Sequence, residues 1–277
     1  MTDYAHPDAL VSTQWLAEHL DDPNVRVVEV DMDPQTHAGA HIRGAAFWSI
    51  TGDVLQSDMR IHTDPEVMGR LLGATGITPE TMVVAYGGYP GTGPWIYWLL
   101  RTFGHRNVRV LDGGHGKWVA EGRPVAPECS TYPAVPSAAA PPDPALRVLL
   151  PQVQAAIEHP DRVLVDVRSA QEYRGEHFMM APPQSDERGG HIPGAIHVEH
   201  HLALREDGTF KPADELRALY EGRGITPDKE ILPYCAVGGR SGCTWFVLEV
   251  LLGYPRVRNY DGSWNEWGRR ADTPVER

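Results

Sequence analysis

Cysteine is scarce in this chain: three in 277 residues, at irregular spacing. An odd, scattered set excludes both a disulfide framework and a zinc-ligand set. Each thiol is then either a small core residue or a carrier of chemistry. Long apolar runs are also missing, and nothing approaches the roughly 20 residues that a membrane-spanning helix needs. The opening "MTDYAHPDALVSTQW" lacks the basic start and apolar core of a secretory signal. Positive charge is in deficit too, with 25 Lys and Arg against 37 Asp and Glu, a net charge of −12. That balance argues against nucleic acid as a partner and against docking to an anionic membrane. The expectation is a cytoplasmic protein with free thiols. An anionic ligand would need a local cluster of arginines working against the overall field.

What the chain does have is length, apolar residues and repetition. Its 277 residues exceed one average domain, 42% of them are apolar, and 28 Gly with 24 Pro imply many tight connections. "GAHIRGAAF" (39–47) returns as "GGHIPGAIH" (189–197), and "GITPETMVVAYGG" (76–88) as "GITPDKEILPYCA" (224–236). "FGHRNVRVLDGGHGKW" (103–118) returns as "LGYPRVRNYDGSWNEW" (252–267). A period of about 150 residues is too long for a solenoid and reads as a duplicated domain. Between the copies lies "APECSTYPAVPSAAAPPDPA", whose Pro, Ala and Ser suit an extended tether. The expected organisation is a first domain over 1–125, a linker over 126–145 and a second domain over 146–277. Cys129 falls in the linker and is expected to be inert.

Within each copy, β-branched runs alternate with helical patterns. Strands are expected at 24–31 and 80–86, and again at 162–168 and 229–234. Helices are expected at 64–76 and 93–104, and again at 212–224 and 241–253. This alternation implies an α/β fold, each domain a parallel sheet flanked by helices on both faces. In such sheets ligands sit beyond the carboxyl ends of the strands.

One loop at such an end is "PYCAVGGRS" (233–241). Its glycines let the backbone curl so that several N–H groups converge, and the following helix adds its positive end. Arg240 brings a full charge. All three favour thiolate over thiol at Cys235. Two readings stay open on these residues alone: a buried core cysteine at a strand end, or a nucleophile. The Gly-Gly-Arg-Ser that follows favours the second.

The paired "GxHIxGA" and "DGxxxxW" phrases, the order of elements and the cysteine loop resemble the tandem-domain rhodaneses, or sulfurtransferases. The similarity covers nearly the whole chain. It is greatest to bacterial thiosulfate sulfurtransferases with a C-R-x-G-x-R-S loop followed by Thr-Trp-Phe-Val-Leu, here "CAVGGRSGCTWFVL" (235–248). The resemblance implies two rhodanese-like domains, the second catalytic. Cys235 would attack the outer sulfur of a donor, hold a persulfide and pass the sulfur to cyanide or another thiophilic acceptor. Arg240 and the loop residues Ala236, Val237, Gly238, Gly239 and Ser241 would bind the donor, with Arg168 of "DVRSAQEY" beside them. No cofactor and no metal are implied. The partners would be a small anionic sulfur donor and a thiophilic acceptor, with a thiol or thioredoxin-like protein as a further candidate. Aligning the repeats puts Gly87 where Cys235 stands, so the first domain is expected to lack the chemistry.

Alternatives remain. A 3-mercaptopyruvate sulfurtransferase shares the chemistry, but that branch carries C-G-S-G-V-[TS]. Phosphatases and arsenate reductases of this fold carry C-x5-R, one residue wider than the C-x4-R from Cys235 to Arg240. A persulfide sulfur carrier would look the same at the loop. Against the nearest pattern, Ala236 replaces an arginine and Gly239 a polar residue, which leaves the pocket one cation short.

Weaker signals complete the reading. Arg168 reads equally as a donor-binding residue or as one held by an acidic neighbour. Arg174 and Arg188 are expected to be solvated. An insert, "EHFMMAPPQSDERG" (176–189), looks like a rim loop whose Phe178 and methionines either line an entrance or pack the loop down. Cys243 is expected in the core rather than as a thiol that resolves the persulfide, and Trp264 as a packing aromatic that could edge the cleft. "HVEHH" (197–201) with His191 meets no metal-ligand spacing.

Overall fold

The β-branched runs become the strands of two parallel sheets. The computed structural model describes residues 3–128 and 130–277, so Cys129 lies outside the described residues. The chain divides into two units, Pro7–Asp143 with Leu204–Phe210, and Pro144–Ala203 with Lys211–Arg277 and the first residues through His6.

The first unit runs β1 (Leu10–Val11), α1 (Thr13–His19), β2 (Val25–Asp31), α2 (Pro34–Gly39), β3 (His41–Ile42) and β4 (Ala46–Ser49). It continues through α3 (Pro65–Ala74), β5 (Met82–Gly87), α4 (Thr92–Thr102), β6 (Val108–Leu111), α5 (Gly114–Ala120) and β7 (Val125–Ala126). Its five-stranded sheet has the order β1-β6-β5-β2-β4, all parallel. Covered on both faces, β2 buries nearly every residue, as parallel strands do. Side chains alternate along β5. Val84 and Tyr86 join a core with Leu16 of α1 and Trp118 of α5. On the other face α4 comes so close that a Cβ on Gly93 would stand 2.7 Å from the Ala85 carbonyl oxygen. All of α4 except Arg101 is buried, which explains the apolar "GPWIYWLL" all round it.

The second unit contains α6 (Leu150–Gln154), β8 (Arg162–Asp166), α7 (Ala170–Tyr173), β9 (Ile196–His197), α8 (Ala213–Glu221), β10 (Glu230–Tyr234), α9 (Gly239–Trp245) and α10 (Ser263–Trp267). Its ladder β10-β8-β9 is parallel. Parallel bridges Ile231 to Val257, Tyr234 to Tyr260 and Arg147 to Asn259 extend it on the far side of β10. The resulting order matches the first sheet strand for strand. Even the phenol of Tyr234 accepts the Ile192 N–H as that of Tyr86 accepts the Ile42 N–H.

Two features differ from the expectations. The helix expected over 241–253 begins at Gly239 and changes at Phe246–Leu251 to π-helical hydrogen bonding. The Pro/Ala-rich stretch is extended but docked on the first unit. Arg26 lies 3.4 Å over the Tyr132 ring, and Val135 N–H bonds the Gly73 carbonyl at 3.0 Å. Gly69 and Gly73 of α3 make that approach possible, since a Cβ at Gly73 would stand 2.6 Å from the Val135 carbonyl oxygen. No helix among the described residues is long and apolar enough to cross a membrane.

Candidate active site

The loop 235–238 sits at the carboxyl end of β10, where the chain turns into α9. Gly238 makes the turn at φ +90°, a conformation suited to glycine, and a Cβ there would stand 2.9 Å from the Asp261 backbone. Three of the loop's carbonyls are taken up by other donors. Those of Cys235 and Ala236 accept the N–H groups of Trp264 and Asn265 at 2.9 Å. The Gly238 carbonyl accepts from Asn259 Nδ2 and Ser241 Oγ, both at 3.1 Å. With its carbonyls held this way, the loop turns N–H groups inward, and Gly238 N–H reaches Cys235 Sγ at 3.2 Å. Ser241 Oγ stands 3.6 Å from the sulfur.

Cys235 is 1% exposed. Burial alone would raise its pKa. The nearby Arg240 charge, the Ser241 amide and hydroxyl, and the Val237 amide outweigh burial and hold the thiol below its ordinary range. Cys243 shows the opposite balance. Burial without a compensating charge pushes that thiol up to about 12.

Arg240 is fixed by Glu172 in a two-pronged pair, both N···O distances 2.7 Å. Burial works against the Glu172 carboxylate, but Arg240 and Ser169 hold its pKa below the usual range. Ser169 and Glu172 cap α7 reciprocally, which orients the carboxylate.

Ser263 is the loop's other support. Its Oγ accepts the Cys235 N–H at 3.0 Å, donates to the Tyr260 carbonyl at 2.8 Å and lies 4.0 Å from Sγ. It does this at φ 52°, a strained value for serine.

Of the expected site residues, Cys235, Ala236, Val237, Gly238, Gly239, Arg240 and Ser241 form this one loop. Arg168 is held by an acidic neighbour, one of the two readings given for it, while its Nη1 has no hydrogen-bond partner. Its side chain is 0% exposed and paired with Asp166, with Nη2–Oδ2 at 2.6 Å and a further bond to the Gly190 carbonyl at 2.7 Å. The ring of Trp264 lies 4.4 Å beneath its guanidinium. Arg188 is not solvated. It donates to the carbonyls of Gly268, Thr273 and Trp267, which ties the insert to the C-terminal segment. Within the insert Phe178 is buried in the core, while Met180 is 92% exposed. Trp264 is buried, its indole N–H bonded to the Arg188 carbonyl at 3.0 Å. Two of the histidines serve packing, while His201 is exposed, 3.4 Å from the Glu199 carboxylate. His191 and His197 stack on Tyr173 at 3.7 and 4.6 Å.

Sequence reasoning missed Glu172, Asn259 and Ser263. Ser263 had a usable signal, because "YDGS" replaces the "LDGG" of the first copy.

The rhodanese-like domain family matches the chain twice, over residues 12–121 and 149–270. The chain belongs to the rhodanese family. Among its relatives, this rhodanese is 44% identical to "Sulfur carrier protein TtuD" of Thermus thermophilus, over 99% of this chain and 98% of that protein. It is 41% identical to a Mycobacterium leprae protein named "Putative thiosulfate sulfurtransferase", over 98% and 99%. Among solved structures it resembles the anaerobic ergothioneine biosynthesis enzyme of Chlorobium limicola in complex with trimethyl histidine. There the TM-score is 0.88 at 26% identity, covering 99% of this chain and 71% of that one. A structure of EanB in which ergothioneine is linked to a cysteine persulfide superimposes with a TM-score of 0.83 at 26% identity, covering 97% and 70%.

Proposed function

We propose that this rhodanese is a sulfurtransferase that moves a sulfane sulfur from thiosulfate, or a related donor, to cyanide or another thiophilic acceptor through a persulfide on Cys235. The observation that carries this reading is the inward-turned loop, with Gly238 N–H 3.2 Å from a buried sulfur whose thiolate form is favoured. The thiolate attacks the donor's outer sulfur, a new S–S bond forms, and the old bond leaves with its electron pair on sulfite. Attack by cyanide on the outer sulfur of the persulfide then returns the thiolate and releases thiocyanate. Charge and electrons balance in both halves without a metal or resident cofactor. Loop N–H groups accommodate the thiolate first and the persulfide next.

The mycobacterial relative's name supports thiosulfate as donor, and the Thermus relative's name supports a sulfur carrier. Mass spectrometry of the full chain after mixing with thiosulfate tests the shared step. A gain of about 32 Da on Cys235 is expected, and its loss on adding cyanide, with thiocyanate formed, marks an enzyme. A persulfide that forms but resists cyanide points to the carrier. No gain with any sulfane donor overturns the reading.

A further inference from the structure

The charges that meet a donor at this loop do not suit a dianion. Residues 235–241 contain one cation, Arg240, and Glu172 already holds it. The Glu172 side chain is 3% exposed and that of Arg240 29%, so the pair is well shielded and its carboxylate faces the guanidinium rather than water. Arg168, the other cation expected at the site, is wholly buried and its charge is matched by Asp166, although its Nη1 has no hydrogen-bond partner. Position 236 contributes a methyl group, with its carbonyl tied to Asn265. With the sulfur as thiolate, Cys235, Arg240 and Glu172 sum to one negative charge, and the whole chain carries −12.

We propose that the Cys235 loop takes sulfur from a donor of low charge, a hydropersulfide, in preference to a dianion such as thiosulfate, and that the residue at position 236 sets this preference. The proposal rests on Cys235 being the persulfide-bearing nucleophile. The step balances without a co-reactant. The thiolate bonds to the terminal sulfur of R–S–SH, the internal S–S bond breaks, and the electron pair departs on RS⁻, leaving Cys235–S–SH. A hydropersulfide brings one charge into the loop as RSS⁻ and none when protonated, whereas thiosulfate brings two.

The experiment is stopped-reaction mass spectrometry of Cys235 loading on the full chain, with thiosulfate and, separately, cysteine hydropersulfide. The expected result is faster loading of the wild type from the hydropersulfide. Ala236→Arg should raise the thiosulfate-to-hydropersulfide ratio of rate constants by about tenfold, as one added charge beside the buried sulfur would, while the uncharged Ala236→Gln should not. Wild-type protein gives a second measurement that needs no variant. Raising the salt from about 0.02 M to about 0.5 M should speed thiosulfate loading by screening repulsion, and speed hydropersulfide loading less. An Ala236→Arg ratio within about twofold of wild type, or thiosulfate loading that slows with salt, overturns the proposal. So does a wild type that loads from thiosulfate as fast as from the hydropersulfide, with the sulfurtransferase reading left standing. If neither donor loads Cys235, that reading falls and takes the proposal with it.

Discussion

The two copies make the same strand-to-helix turn with opposite contents. In the first, Gly87 ends β5 against the Val30 carbonyl, and a Cβ there would stand 2.7 Å from the Thr92 side chain. That loop runs five residues, 87–91, to a left-handed glycine at φ 98°. In the second, four residues, 235–238, reach the equivalent glycine at φ 90°. The shorter turn folds its N–H groups onto the Cys235 sulfur, and the longer one closes on Thr92. Register extends the contrast. Asp31 of the first copy aligns with Arg168 of the second, and Gly114 at φ 55° with Ser263 at φ 52°. The two copies therefore share the frame, while the first has neither the room for a nucleophile nor the nucleophile itself.

The largest effect should come from exchanging the two key residues. Cys235→Ser is expected to abolish sulfur loading, since an alcohol at neutral pH is a far weaker nucleophile than a thiolate. Gly87→Cys should not create a second site. Its side chain would have to displace Thr92 and the Val30 carbonyl, at a cost of about 1–3 kcal/mol. Urea denaturation and mass spectrometry of the double variant check both halves. A Cys235→Ser, Gly87→Cys double variant that loads sulfur without loss of stability would break the comparison.

Ser263 sharpens it further. At an ordinary position, glycine in place of alanine lowers stability. Here the backbone is already left-handed, so Ser263→Gly should be more stable than Ser263→Ala by about 1 kcal/mol. Both variants remove the acceptor of the Cys235 N–H, and sulfur loading should fall about tenfold in each. If the alanine variant is the more stable, φ strain is not what Ser263 bears.

How much of this was legible in the sequence follows from how local each signal is. The parallel strands and the cysteine loop are written in contiguous residues, so 230–234 and 235–241 could be read directly. The supports of the loop are remote. Ser263 lies 28 residues from Cys235, Asn259 lies 21 from Gly238 and Glu172 lies 68 from Arg240, and no periodicity links them. Arg168 stayed open in the sequence because a charged residue beside an active loop looks functional until its partner Asp166 is seen two residues away, wholly buried. The Pro/Ala stretch misled. Its composition predicts an extended chain, but the glycines of α3 that let it dock lie some sixty residues upstream, roughly the separation at which composition says nothing.

Arg240 accounts for the next effect in size. Alkylation by iodoacetamide needs the thiolate, so its rate at Cys235 should rise with pH and level off. The midpoint should lie below the value of about 8.5 for a free thiol. Arg240→Gln removes the charge that offsets burial. The midpoint should then move upward and the rate at pH 7 fall about tenfold. An unmoved midpoint would shift the credit to the Ser241 and Val237 amides, which the variant leaves in place.

Cys243 should give the smallest effect, and it separates position from residue type. It shares the chain, the burial and the helix that follows the loop, yet it faces no cation and no inward N–H, and burial holds its thiol near 12. At neutral pH it is therefore a protonated core group. Cys243→Ala should leave sulfur loading of Cys235 within about twofold of wild type and cost roughly 1 kcal/mol of stability, the usual price of a small cavity. Iodoacetamide should label one cysteine of this pair in the native chain and both in urea. Native labelling at Cys243 would mean that burial does not silence a thiol in this fold, and that the loop geometry at Cys235 explains less than its surroundings suggest.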